Sequence, residues 1–151
     1  MKVEVLQEKG KGRKHNMVMV LGARFFADML MTKEQQKGVK VKVVIDPHKL
    51  SRNTLGIVYE RDGTTKPYVV IIRSEMTFMQ KLKVLAHEMV HVKQYATGQL
   101  WSYYRADVKR VVWKGEELGT WTQIPYMARP WEIEAFSMEK GLMDKWEAAD
   151  L

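Results

Sequence analysis

Apolar residues stand at every second position in one stretch of the first third of the chain. They are Val39, Val41, Val43 and Ile45. A period of two predicts a half-buried strand, which we place over 39–46. Two further apolar runs, at about 55–60 and 67–73, flank a turn sequence around Gly63 and predict an antiparallel hairpin. The pattern therefore predicts a small mixed sheet of three strands.

Three other segments have the apolar spacing that is typical of helices. The first covers about 16–37, where Asn16 can serve as the N-cap. The second covers about 77–97 and opens with a capping-box pattern at Thr77. The third follows Pro130, and its apolar residues form one stripe: Ala135, Met138, Leu142, Trp146 and Ala149.

The remaining long segment, 99–130, is rich in aromatic residues and glycine, and we expect it to be irregular apart from a short strand at about 111–113. The sequence thus predicts an α+β fold with one domain over 16–151, preceded by a basic N-terminal arm over 1–15. The basic residues of this arm cluster around two glycines: Lys9, Lys11, Arg13 and Lys14. Such an arm could meet phosphate groups, including those of a nucleic acid, or it could simply be solvated.

Composition narrows the classes of protein. The chain has 151 residues, 46% of them hydrophobic, and a net charge of +7, which is typical of one soluble globular domain. It contains no cysteine, which excludes disulfides, cysteine-ligated zinc and a thiol nucleophile. The N-terminal sequence has no signal-peptide pattern, and the longest apolar stretch, 17–31, is charged and too short for a membrane span. We therefore expect a cytoplasmic protein that does not enter a membrane.

A short motif within the second predicted helix carries the chemistry. It reads His87-Glu88-Met89-Val90-His91, and the spacing of four puts both imidazoles on one helix face. Zinc accepts neutral imidazole nitrogen, and a catalytic zinc site keeps three protein ligands and a water. Glu88 is adjacent to the first ligand, so its carboxylate can reach the zinc-bound water as a general base. A shuffled chain of this composition would contain the pattern roughly one time in a hundred.

A third ligand downstream of the motif has to be a carboxylate, because the chain has no cysteine and its other two histidines precede the motif. Gln94 and Thr97 stand where the three-histidine pattern has glycine and histidine, which excludes that pattern. Glu132 and Glu134 lie at the start of the third predicted helix, and this helix can present a carboxylate to the metal. They are about 200° apart around the helix, so only one of them can face the zinc.

These residues resemble the gluzincins, zinc peptidases with two motif histidines and a glutamate from a later helix, and are most similar to small phage-type and ImmA/IrrE-like metallopeptidases. The resemblance implies a minimal zincin-like fold with an N-terminal helix, a small sheet, the motif helix and a C-terminal backing helix. In several members the ligand glutamate stands three positions before a small residue, and Glu132 with Ala135 matches that form. Other members have glutamate directly before alanine, which would select Glu134. Where the family pattern often continues with Asp or Asn, this chain has Phe136.

The resemblance also implies hydrolysis of a peptide bond. One zinc ion would polarise the scissile carbonyl, while Glu88 would take a proton from the zinc-bound water and return it to the leaving amine. Tyr126 stands at about the distance where some gluzincins place a tyrosine that stabilises the oxyanion, although an aromatic packed beneath a loop would look the same. Tyr95, Tyr103 and Tyr104 are further candidates for that role.

In zincins the strand before the motif helix, here 67–73, is the edge strand that pairs with an extended peptide or protein substrate. The aromatic segment 101–126 is a candidate for the opposite wall, or it pins the connection to the core. Two alternative functions remain open at this point. One is a binding module that keeps the zincin fold without catalysis, which the retention of Glu88 disfavours. The other is a nucleic-acid-associated protease similar to SprT-like proteins, although those carry a third histidine ligand.

Overall fold

The computed structural model of the protein describes residues 1–7, 13–46, 50–51, 53–61, 63 and 65–150. Within them the chain forms three α-helices and two β-sheets, which confirms the predicted α+β class. In chain order the elements are β1 (Lys2–Gln7), α1 (Arg13–Leu30), β2 (Lys40–Ile45), β3 (Gly56–Tyr59), β4 (Tyr68–Ile72), α2 (Phe78–Ala96), β5 (Leu100–Arg105), β6 (Val108–Trp113), β7 (Glu116–Thr120) and α3 (Pro130–Ala148). Two short 3-10 turns, Trp121–Gln123 and Tyr126–Ala128, join β7 to α3.

The first sheet contains four strands in the order β1-β2-β4-β3, so the predicted sheet of three strands was wrong. The additional strand is β1, which lies within the segment that we assigned to the N-terminal arm. Val3 and Val5 pair with Val41 and Val43 of β2 in a parallel register. The same period of two that reveals β2 is therefore present in β1. Helix α1 supplies the crossover that two parallel strands need.

The predicted hairpin is confirmed, because β3 pairs with β4 in an antiparallel register that places Val58 opposite Val70. Asp62 and Thr64 of its turn lie outside the described residues. The expectation that segment 67–73 forms the edge strand was wrong, since β4 lies between β2 and β3. The strand at this edge is β3, because β4 also pairs in parallel with β2 and is therefore covered on both sides.

Residues 100–120 form a second sheet instead of the expected irregular segment. Its three strands follow one another as an antiparallel meander, β5-β6-β7, so the short strand expected at 111–113 is the end of β6. Both turns use residues with positive φ: Ala106 and Asp107 in the first, Lys114 and Gly115 in the second. Such two-residue turns favour Asn-Gly or Asp-Gly. Ala-Asp is an unusual pair at this place, which is why the sequence pattern concealed the first hairpin.

Helix α1 begins and ends earlier than expected. It starts at Arg13, so Asn16 lies inside its first turns and is not the N-cap. Beyond Leu30, the Thr32 and Gln35 side chains each accept a hydrogen bond from the other's backbone N–H, and this reciprocal pair begins a separate turn. Of the predicted arm, Lys9 and Lys11 lie outside the described residues, whereas Arg13 and Lys14 are part of α1.

Helix α2 is the centre of the fold, since it packs against α1, α3, β3 and β4. Its fully buried apolar residues are Leu82, Leu85, Ala86, Met89, Val90 and Val92. They form one core with α1, the inner strands and the C-terminal half of α3. The predicted bounds of α2 and α3 are confirmed to within a residue or two at each end.

Candidate metal centre

Helix α2 places His87 and His91 one turn apart on one face. The predicted capping box is present: Thr77 Oγ1 accepts from the backbone N–H of Gln80 at 3.2 Å, and Gln80 Oε1 accepts from that of Thr77 at 2.9 Å. His87 and His91 are each only 6% exposed. Because their Nε2 atoms are 3.2 Å apart, the two rings converge on one point.

Glu132 of α3 completes this group and is 7% exposed. Its Oε2 lies 3.3 Å from His87 Nε2, and its Oε1 lies 2.6 Å from His91 Nε2. Two ligand atoms bound at about 2.0 to 2.1 Å to one tetrahedral metal ion are about 3.3 to 3.4 Å apart. Two of the three distances are close to this value, and the third is that of a charge-assisted hydrogen bond. These three side chains form a buried group that could hold a metal ion, and we call it the metal group: His87, His91 and Glu132.

The position of Glu132 depends on its neighbour Trp131, which is 1% exposed. The indole of Trp131 packs against Trp121 and Trp113, with ring centroids 5.0 Å and 6.3 Å away. Arg129, at the N-cap of α3, donates to the carbonyls of Ile124 and Trp121 at 3.1 Å and 3.3 Å. The second sheet and the turns that follow it therefore fix the first turn of α3, and with it the Glu132 carboxylate.

Glu134, the alternative ligand, faces a different set of partners. Its carboxylate accepts from Lys93 Nζ at 3.1 Å and from Gln94 Nε2 at 3.2 Å, and Lys114 Nζ lies 3.8 Å away. Glu134 therefore forms ion pairs that link α3 to α2 and to the turn after β6. The rotation expected between Glu132 and Glu134 separates the two carboxylates as the helix geometry requires.

Three other carboxylates, those of Glu139, Glu116 and Glu117, also lie downstream of the motif. Glu139 Oε1 lies 3.5 Å from His87 Nδ1, on the opposite side of that ring from Glu132. His87 Nδ1 is buried and makes no hydrogen bond within the described part of the chain. Glu116 and Glu117 belong to β7, where Glu117 accepts from Arg110 at 2.9 Å and stands apart from the histidines.

Glu88 is buried beside His87 and lines the same cleft, but it is not part of the group of three. Burial raises the pKa of Glu88 to about 7, and the neighbouring His91 and His87 offset only part of that effect. Gly56 of β3 lies directly against this side chain: a Cβ at position 56 would be 3.1 Å from Glu88 Oε1. Glu88 is thus a carboxylate that can change its protonation near neutral pH.

The electrostatics of Glu132 and His91 differ from those of Glu88. Burial opposes ionisation of Glu132, but hydrogen bonds with His87 and His91 outweigh it and lower the pKa of this carboxyl. Burial likewise opposes the charged form of His91, yet the hydrogen bond to Glu132 and the Glu88 carboxylate raise its pKa. A carboxylate that stays ionised in a buried position requires compensating positive charge, which suits a cation site.

Tyr126 reaches the group from the second 3-10 turn. Its ring is about half exposed, and its hydroxyl donates a hydrogen bond to Glu132. Burial of the hydroxyl and this bond to a carboxylate both raise the pKa of Tyr126. Tyr95 also borders the cleft and stacks on Tyr68, whereas Tyr103 and Tyr104 lie on β5, where Tyr103 bonds to Glu117.

A cleft of about 1230 Å³ opens above the metal group. One wall is β3 with its flanking residues, 53–60, and the floor is formed by α2. The second sheet and the turns before α3 also contribute to the lining, with Lys109, Trp121, Tyr126 and Arg129. Of the aromatic residues predicted for a wall, Trp121 and Tyr126 border the cleft, whereas Trp113 packs against Trp131.

Sequence reasoning missed one residue of this region that the structure singles out. Gln94 is completely buried, and its Oε1 lies 2.8 Å from His91 Nδ1. We considered position 94 only for the glycine that it lacks. Its place three residues after His91 on the same helix was the available signal, because side chains at that spacing are neighbours.

None of the helices in the described part of the chain has the length and apolarity that crossing a bilayer requires. In comparisons with protein-family models, curated proteins and solved structures, no match was found.

Proposed function

We propose that this protein is a zinc-dependent metallopeptidase that hydrolyses peptide bonds of a substrate bound in extended conformation. The observation that carries the proposal is the position of Glu88. This buried carboxylate neighbours His87 on α2, borders the cleft and is separate from the three residues that could hold a metal ion. A metal group with an independent proton acceptor at an open cleft has the components that metal-assisted hydrolysis needs.

Zinc is the metal that this donor set suits best. Two imidazole nitrogens and one carboxylate, with no cysteine, form one of the known ligand sets of catalytic zinc sites, and three protein ligands leave a further position open. When bound, zinc supplies Lewis acidity that polarises a carbonyl and lowers the pKa of a water molecule. The ligands in this proposal are His87, His91 and Glu132.

Glu88 acts as the general base in this proposal. Its carboxylate accepts a proton from the attacking water, and the carboxylic acid that results donates the same proton to the nitrogen of the leaving amine. Burial raises the pKa of Glu88, and a more basic carboxylate is a better proton acceptor than a fully solvated one. The proton moves from water to product, and Glu88 returns to its initial state.

Tyr126 is the proposed oxyanion stabiliser. Burial and its interaction with the Glu132 carboxylate raise the pKa of Tyr126, and both residues line the cleft in which a scissile carbonyl would have to lie. A donor aimed at the oxygen that gains charge in the transition state contributes more than one aimed at the ground state. The half-exposed ring leaves room for the hydroxyl to move from Glu132 to the substrate.

The substrate in this proposal is a peptide segment that lies along β3. This strand is at the edge of its sheet and forms one wall of the cleft, directly above Glu88. Unpaired backbone groups of an edge strand can pair with an extended chain without reading its sequence. The edge position of β3 gives it the role that we first expected for segment 67–73.

The proposal is tested by comparing the zinc-loaded protein with Glu88→Gln on a mixture of denatured proteins, reading new N-termini by mass spectrometry. We expect the parent to cleave and the variant to keep zinc while its rate falls by about 10²- to 10⁴-fold. Glu75→Gln is the matched control, because Glu75 also borders the cleft but its carboxylate pairs with Arg73. Equal cleavage by Glu88→Gln would refute the role of Glu88, and no cleavage by any zinc-loaded form would favour a non-catalytic binding module.

A further inference from the structure

A buried glutamine connects His91, one of the three residues that could hold a metal ion, with the first turn of the helix that carries Glu132. Gln94 lies in α2 and is 0% exposed. Its Oε1 is 2.8 Å from His91 Nδ1, whereas its Nε2 is 3.0 Å from the carbonyl oxygen of Trp131 and 3.2 Å from Glu134 Oε1. One side chain therefore contacts a ligand histidine and the residue that directly precedes the ligand glutamate.

The partners of Gln94 determine how its amide is oriented. A carbonyl oxygen and a carboxylate both accept hydrogen bonds, so Trp131 and Glu134 have to face the NH₂ group. The amide oxygen then faces His91. Since this oxygen can only accept, Nδ1 of His91 carries the proton, and Nε2 is the nitrogen with which the ring can bind a metal ion.

We infer that Gln94 is a positioning residue of the metal centre, whose amide holds the His91 ring and the first turn of α3 together so that His91 and Glu132 reach the same ion. Outer hydrogen-bond partners of ligand histidines fix the ring orientation and increase ligand basicity. The inference rests on the metal site of the proposed function, but not on peptide hydrolysis.

The contrast with His87 indicates why this contact matters. His87 Nδ1 has no hydrogen-bond partner within the described residues, and the Glu139 carboxylate lies 3.5 Å from it. The orientation of His91, by contrast, is held at both nitrogens, by Gln94 and by Glu132. Without the amide, the buried Nδ1–H of His91 would lose its acceptor, and the Trp131 carbonyl and the Glu134 carboxylate would each lose one donor.

The test measures zinc dissociation constants by chelator competition at one pH for the full chain and three variants. Gln94→Met keeps the volume but removes the acceptor and the donor, and Gln94→Glu keeps an acceptor for His91. Gln36→Met is the matched control, because Gln36 is also buried and donates to Asp28 at 3.0 Å and to the Met31 carbonyl at 3.3 Å, away from the metal group. Thermal unfolding of each variant shows whether it is folded.

We expect Gln94→Met to raise the zinc dissociation constant by about 10- to 100-fold. Gln94→Glu should restore much of that affinity although it is less stable, since its second oxygen faces the Trp131 carbonyl. Gln36→Met should lose stability and leave the dissociation constant unchanged. Unchanged zinc affinity in folded Gln94→Met, or an equal loss in Gln36→Met, would overturn the inference. None of these measurements uses hydrolysis. If the protein binds zinc but cleaves nothing, the peptidase proposal is refuted and the inference about Gln94 is not.

A second measurement needs no variant and applies if Gln94→Met does not fold. In the zinc-loaded protein labelled with ¹⁵N-histidine, the Nδ1–H of His91 should exchange slowly with solvent and show a through-space contact to the Gln94 side chain. A rapidly exchanging Nδ1–H without that contact would overturn the inference.

Discussion

Gly56 of β3 lies close against the motif helix, and Gly56→Ala tests how the two elements fit. A Cβ at this position would lie 2.5 Å from Val84 Cγ1, 3.1 Å from Glu88 Oε1 and 3.3 Å from Glu88 Cγ. Carbon atoms in contact are normally about 3.5 to 4.0 Å apart. The added methyl group therefore requires a separation of about 1 Å between β3 and α2 at this point.

The structure offers little room for that movement. Val84 is β-branched and sits in a helix, where one χ1 rotamer is strongly preferred, so its methyl group cannot easily turn away. The neighbouring Glu88 is buried. Overpacking of this kind typically costs about 1 to 3 kcal/mol, and we expect Gly56→Ala to reduce the free energy of unfolding by that amount.

The effect on chemistry should be separate from the effect on the metal. Gly56 touches Glu88 and Val84, whereas the metal group lies between α2 and α3. We therefore expect Gly56→Ala to keep zinc affinity and to lose hydrolysis, because the carboxylate that accepts the proton is displaced. The double variant Gly56→Ala with Val84→Ala removes the shortest contact and should recover part of the lost stability.

Gly141→Ala is the control, since Gly141 lies within α3 and a Cβ there meets nothing within 4 Å. Alanine in a helix interior is favoured over glycine by about 1 kcal/mol, so this variant should be slightly more stable than the parent. The assay is urea unfolding of all four proteins, followed by zinc titration and hydrolysis. If Gly56→Ala is as stable and as active as the parent, β3 does not constrain Glu88, and the reasoning fails.

Three further predictions concern the site. Loss of a hydrogen-bond partner of a ligand typically weakens metal binding by about 10- to 100-fold, and Glu132→Ala should weaken zinc binding by more than that. Glu134→Ala should change zinc binding little. A larger loss for Glu134→Ala in a chelator titration would show that Glu134 is the ligand. Tyr126→Phe should reduce the hydrolysis rate by about 10²- to 10³-fold and retain zinc; an unchanged rate would leave Tyr126 a packing residue. In the metal-free protein the raised pKa of Glu88 favours its protonated form, so its contribution to stability is present below about pH 4.5 and lost as the pH rises through about 7. The stability advantage of Glu88→Gln should therefore grow over that range by up to about 3 kcal/mol, and urea midpoints that run parallel for both proteins would contradict this.

The elements with strong local signals were the ones that the sequence predicted well. Helix α2 has the capping box at Thr77, and α3 follows Pro130, so both could be placed from neighbouring residues. Strand β1 has alternating valines, but it pairs with a distant strand, β2. The basic residues that follow β1 in the sequence led us to assign the whole of 1–15 to an arm. Helix α1 ends before Thr32 and Gln35, whose side chains and backbone N–H groups bond to each other in place of a further helical turn. These two polar residues do not change the apolar pattern, so the sequence did not show the end of the helix.

The sequence predicted those features of the site that depend on neighbouring residues of one helix. It did not predict those that depend on the packing of two elements. The spacing of His87 and His91 is set within one helix, so it could be derived directly. The choice between Glu132 and Glu134 depends on the rotation of α3, which Trp131 sets by packing against the second sheet. The contact of Gln94 with His91 is local and could have been derived from the spacing on α2. Its contacts with Trp131 and Glu134 could not, because these residues come from another helix.

In the proposed function, one metal ion is held by His87, His91 and Glu132. The most direct measurement is elemental analysis of the purified protein together with His87→Ala and His91→Ala, each equilibrated with zinc and passed through a chelating column. We expect one zinc per chain in the parent and much less than one in either variant, because two remaining ligands make a poor site. A full equivalent of tightly bound zinc in both variants, or none in the parent, would contradict it.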